Sequence, residues 1–193
     1  MISTFDEATA ERGLAAGTLR CGCGGRLRGW GRTRPRAVRG RDGRWSRVRL
    51  RRTRCVGCRR THVVLPAAHR PRRVDHTDTV GAALLAAAQG AGHRRVAADL
   101  DRPVDTVRGW LRRFRGQSEL LRGVATRLAV SSDPRFEPER PQPTPLADAV
   151  AALGAAAASV VRRLGARSSL VWQDHCHDHR RQAALAGSRK LIK

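Results

Sequence analysis

The chain has 193 residues and a formal net charge of +23, enough for one or two small domains but not for a large enzyme core. No run of 18 apolar residues occurs, and the first residues carry acids where a signal peptide would be basic and apolar. These features set aside a membrane span and a secreted protein. They lead to the expectation of a cytoplasmic chain with reduced thiols.

The sequence divides into five parts: a weakly patterned lead (1–19), a basic cysteine module (20–73), a run of helices (74–130), a proline-rich linker (131–145) and a C-terminal helix with its tail (146–193). Arginine enrichment follows in part from a GC-rich genome, but codon bias does not explain where the charge sits. Between Arg20 and Arg73 there are 19 arginines and a single acid, Asp42. A charge so concentrated repels itself and attracts polyanions, with nucleic acid the first candidate.

Cys21-Gly-Cys23-Gly-Gly and Cys55-Val-Gly-Cys58 are separated by 31 residues. Four thiolates make a closed tetrahedral site suited to a structural zinc ion, and a module with little apolar surface would draw much of its folding free energy from it. Between the pairs the chain reads as a hairpin: a strand ending at 36–39, Asp-Gly turn chemistry at 40–43 and a return strand over 44–54. In the return strand Val48 and Leu50 point to one face, and Arg47, Arg49 and Arg51 to the other as phosphate ligands. Residues 61–65 supply a third strand. Only one residue separates Cys21 from Cys23, where ribbons normally have two, so a looser first loop is expected; His62 or His69 could replace one cysteine.

Val80, Ala83, Leu84 and Ala87 repeat at helical spacing until Gly90-Ala91-Gly92. A second short helix covers 93–100. After the break at Asp101-Arg102-Pro103 comes a third helix, its apolar face formed by Val107, Trp110, Leu111 and Phe114. This is the layout of a helix-turn-helix, whose third helix enters the major groove. Arg108 is placed to pair with guanine and Thr106 to touch a base or phosphate; Arg94, Arg95, Arg112 and Arg113 lie near phosphates. Asp101 stands where such turns usually carry glycine, and a plain three-helix bundle with a solvated arginine face is the bland alternative.

The strings Gly90 to Leu100 and Thr106 to Phe114 resemble the homeodomain-like helix-turn-helix of insertion-sequence transposases. With the cysteine pairs upstream, the stretch 20–130 is similar to an uncharacterised high-GC bacterial family that joins a zinc-ribbon-like module to such a helix-turn-helix. The resemblance implies double-stranded DNA as partner, for a transcriptional regulator or the DNA-binding half of a transposase.

Residues 131–193 offer no strand pattern to position acids for two-metal catalysis. The cluster His175-Cys176-His177-Asp178-His179 is dense in ligands, which keeps a metal-dependent nuclease as an alternative, alongside a nonspecific RNA binder. The expected fold is mainly α, with a small N-terminal β hairpin module followed by a helical bundle, a linker and an alanine-rich helix. The expected function is non-enzymatic DNA binding with no small-molecule substrate. The leucines of 120–128 either complete the bundle or form a homodimer.

Overall fold

The computed structural model describes residues 2–4, 6–138 and 140–164. Within them lie six strands and six helices, in two compact units, Met1–Val80 and Gly81–Lys193.

In the first unit a short strand β1 (Ile2–Thr4) precedes helix α1 (Glu7–Ala15). Asp6 starts that helix, its carboxylate accepting from the Thr9 amide at 2.6 Å. This N-cap satisfies one of the orphan donors of the first turn. Strands β2 (Leu27–Arg32), β3 (Arg36–Arg39), β4 (Trp45–Val48), β5 (Arg51–Cys55) and β6 (Thr61–Pro66) follow. They form a four-stranded sheet ordered β1-β6-β5-β2 and a separate β3-β4 hairpin. The β1/β6 pair is parallel, whereas β6/β5 and β5/β2 are antiparallel.

The expectation of a mainly α chain with one small hairpin is therefore wrong. The first unit holds a mixed sheet, and the lead sequence is part of it. Two local causes hid this. β2 reads Leu-Arg-Gly-Trp-Gly-Arg, in which only Leu27 is buried, so no apolar alternation announces a strand. The expected return strand is also two strands, because the chain leaves the hairpin after Val48 and joins the larger sheet at Arg51. Leu50, at the break, is buried and donates its amide to the Thr33 hydroxyl at 3.0 Å. The turn of the β3-β4 hairpin lies at the expected place, with Gly43 in the left-handed region (φ 77°) and Arg39 opposite Trp45.

One face of the larger sheet is closed. Cys21, Leu27 and Cys55 form a small core against which Ile2, Leu14 and Leu19 pack, so β1 and α1 cover the cysteines. Thr53 and Val64 are fully buried within the same unit.

In the second unit, the buried side of α2 (Thr77–Ala88) carries Ala82, Ala83, Leu84 and Ala87. Helix α3 (His93–Asp99) packs on α4 (Val104–Arg115). Val96 and Ala97 of α3 are buried, as are Val107, Trp110 and Leu111 of α4. Helices α5 (Ser118–Ser132) and α6 (Pro145–Leu164) make the most extensive helix pair, with Ala125, Ala129 and Ala156 in contact and Phe136, Ala152 and Leu153 around them. Arg162 pairs with Asp133 at 2.9 Å and Arg163 donates to the Ser131 carbonyl at 2.8 Å, which brings the C-terminal ends of both helices together. The two helices run parallel, and the proline-rich segment between them returns along their length. By length and composition alone, at mean hydropathy 1.3, residues 145–163 meet the test for a membrane-crossing helix, a test that core helices of soluble proteins also pass. Alanine raises that average, and it is the alanines that seat α6 against α5.

Candidate metal centre and basic surfaces

The four cysteines converge although their pairs are 31 residues apart. Their sulfurs all lie within 4.8 Å of one another, with Cys21–Cys58 and Cys23–Cys55 each at 3.6 Å. Thiolates about 2.3 Å from a common tetrahedral centre stand roughly 3.8 Å apart. The cluster can therefore hold one metal ion. Cys21 and Cys55 are buried and Cys23 and Cys58 exposed, so the site sits half under α1 and half at the surface.

The two loops use the same device. In each, the residue after the second cysteine is left-handed, Gly24 at φ 81° and Arg59 at φ 63°. The next amide then turns inward, Gly25 donating to the Cys23 sulfur and Arg60 to that of Cys58. The loops are closed by Cys21 and Cys55, whose amides donate at 2.9 Å to the Gly25 and Arg60 carbonyls. The short first pair thus has the same amide donor as the longer second one, because the donor follows the second cysteine. Gly25 also lets the sulfurs close in: a Cβ there would lie 2.6 Å from the Cys55 sulfur and 3.3 Å from that of Cys23.

The Gly25 amide, with help from the thiols of Cys58, Cys55 and Cys21, lowers Cys23 to about 6. The Arg60 amide favours the Cys58 thiolate, but Cys23, burial, Cys21 and Cys55 outweigh it and push Cys58 up to about 11. One negative charge is easily held and further ones oppose it, the situation that a bound dication reverses. His62 brings Nε2 to 3.3 Å from the Cys21 sulfur, which leaves it a possible ligand or thiolate partner. His69 is not in the cluster; its ring meets that of His76 edge-on, centroids 4.9 Å apart.

Arg47, Arg49 and Arg51 do not share one strand face. Arg47 is on β4, Arg49 is in the break, and both are exposed, while Arg51 opens β5 and is half-buried. Glu11 of α1 takes Arg51 at 3.3 Å and Arg32 at 3.8 Å, and Glu7 also pairs with Arg32. All four arginines line a cavity of 590 Å³ whose wall also includes Asp6, Glu7 and His69. Sequence reading missed the two acids. Their spacing of four, directly after Asp6, is the signal that places them on one helical face.

In the second unit Asp101 is left-handed (φ 50°), and the buried Arg102 donates to the carbonyls of Leu100 and Asp101 at 2.8 and 2.9 Å. Pro103 is the N-cap of α4. Arg108, Arg112 and Arg113 are exposed opposite Val107, Trp110 and Leu111, and Thr106 is half-buried. Arg94 and Arg95 of α3 are exposed. Asp105 pairs with Arg108 at 2.9 Å and Asp99 with Arg95 at 3.8 Å, contacts that solvent weakens. The cluster 175–179 lies outside the described residues.

Comparison with curated proteins and with solved structures gives no match. Residues 21–110, from the first cysteine of the cluster to Trp110 of α4, are similar to a family described as a domain of unknown function, DUF6431.

Proposed function

We propose that the chain is a sequence-directed double-stranded DNA-binding protein, acting as a transcriptional regulator or as a mobile-element accessory without catalysis. The observation that carries this reading is the left-handed turn at Asp101, which joins α3 to an α4 buried by Val107, Trp110 and Leu111 and studded with exposed arginines on its other side. A helix-turn-helix needs that turn, and it needs such a helix to enter the major groove. Arg108 is the residue assigned to base edges and Thr106 its neighbour; Arg94, Arg95, Arg112 and Arg113 are assigned to phosphates.

The ion assigned to the four cysteines is Zn²⁺, which favours four thiolates in a tetrahedron and adds no redox chemistry. Its role is structural: it would clamp the loops around Cys21–Cys23 and Cys55–Cys58 and so support the basic sheet. Arg47 and Arg49 supply phosphate contacts there, while Arg51 is engaged by Glu11. The assigned compartment is the cytoplasm, on the nucleoid.

Selection of bound duplexes from a random pool tests the reading. An enriched motif supports it, and a pool that stays random after repeated rounds reduces the protein to a charge-driven binder.

A further inference from the structure

The four-stranded sheet treats its two faces differently. On the face under α1, the opposed arginines Arg32 and Arg51 are neutralised by Glu7 and Glu11. On the other face, Arg28 of β2 stands directly opposite Arg54 of β5, and no acid among the described residues pairs with either. Like charges set opposite each other across a ladder destabilise it. Arg52, two residues along β5, adds to the same face.

Trp30 lies among these arginines. Its indole is 51% exposed, and the Arg54 guanidinium carbon sits 4.7 Å from the ring centroid. Aromatic residues make up only 4% of this chain, so an indole left in solvent on its most basic strands is not overflow from a crowded core. The other exposed indole among the described residues, Trp45 at 61%, has a different setting. Its partner Arg39 is held by Asp75 at 3.4 Å, and Asp42 sits beside Arg44 at 3.8 Å.

We infer that this open face binds single-stranded DNA, stacking an unpaired base on Trp30 while Arg28, Arg52 and Arg54 take the phosphates. The arginines demand a polyanion. The indole selects a strand whose base faces are free, which an intact duplex does not offer. A base on the ring would extend the pile that Arg54 begins. Only the choice of DNA over RNA rests on the duplex-binding reading of α3 and α4; the stacking does not.

The test uses the full-length chain with oligo(dT), oligo(U) and a blunt random duplex. Trp30→Ala should weaken oligo(dT) binding on the order of tenfold and change duplex binding by less than about twofold. Trp30→Phe should retain most of the oligo(dT) affinity and guards against misfolding, as does an unchanged metal content. Equal weakening on oligo(dT) and duplex would overturn the inference, as would no effect of Trp30→Ala or tighter binding of oligo(U) than of oligo(dT). Failure of the duplex reading registers separately, as an unenriched duplex pool.

Discussion

A Cβ on Gly25 would stand 2.6 Å from the Cys55 sulfur, so the closing of the cysteine cluster depends on a missing side chain. The same glycine gives its amide to Cys23. Glycine is used here for close approach, since only Gly24 beside it has a left-handed backbone.

Gly25→Ala should therefore cost the metal-loaded protein about 1–3 kcal/mol through overpacking. Gly22, with nothing within 4 Å of its Cβ position, is the control. Thermal denaturation with zinc present checks both. Melting of Gly25→Ala at the wild-type temperature would show that the sulfurs do not need this gap.

Metal removal should act on one unit. The core of Cys21, Leu27 and Cys55 is small, so a strong chelator should cost Met1–Val80 its sheet. Helices α3 to α6 carry no ligand of the four-cysteine cluster and should persist. Amide exchange followed by residue checks this: fast exchange at 51–66 with protection kept at 104–132 is expected. Unchanged protection at 51–66 would remove the metal from the folding of the sheet.

Asp101 takes up a left-handed backbone that glycine adopts without strain. Asp101→Gly should stabilise the protein by about 0.5–1 kcal/mol and also remove a negative charge from the turn. Chemical denaturation measures the first effect and duplex affinity the second, which should rise. A loss of stability would show that the Asp101 side chain itself holds the turn.

Much of the second unit was legible in the sequence because it follows from helical periodicity and from breakers. Gly90 stops α2, and the residues from Asp101 to Pro103 separate α3 from α4. The cysteine cluster was legible from pairing alone. The larger sheet was not. β2 holds its place through Leu27 and ladder bonds, with glycine and arginine elsewhere, and β1 is only three residues long. α1 was hidden by a weak apolar pattern, although Asp6, Glu7 and Glu11 mark its start and its charged face. Without α1 there was no way to see that Arg51 is neutralised, and without β2 no way to see Trp30 beside Arg54.

Acid should weaken the first unit through His69. Burial, followed by the nearby His76 and Arg36, holds its pKa below the ordinary 6.5. The unfolded chain then binds a proton that the folded chain resists, so the contribution is full above about pH 6.5 and falls as pH drops toward the folded value. Unfolding free energies of wild type and His69→Asn, compared at neutral and mildly acidic pH, check this. The wild-type advantage should shrink on acidification, and a constant difference would remove His69 from the acid response.

Under the proposed function, α4 reads base sequence rather than merely meeting phosphate. Arg108 is the residue to test, since it is exposed and pairs, among the described residues, with Asp105 three positions earlier at 2.9 Å. The decisive measurement is the affinity of wild type and Arg108→Ala for the selected duplex and for random duplex at one salt concentration. Arg108→Ala should lose about 1–3 kcal/mol on the selected duplex and far less on random DNA. Equal losses on both would contradict base reading by α4 and leave it as one more phosphate-binding surface.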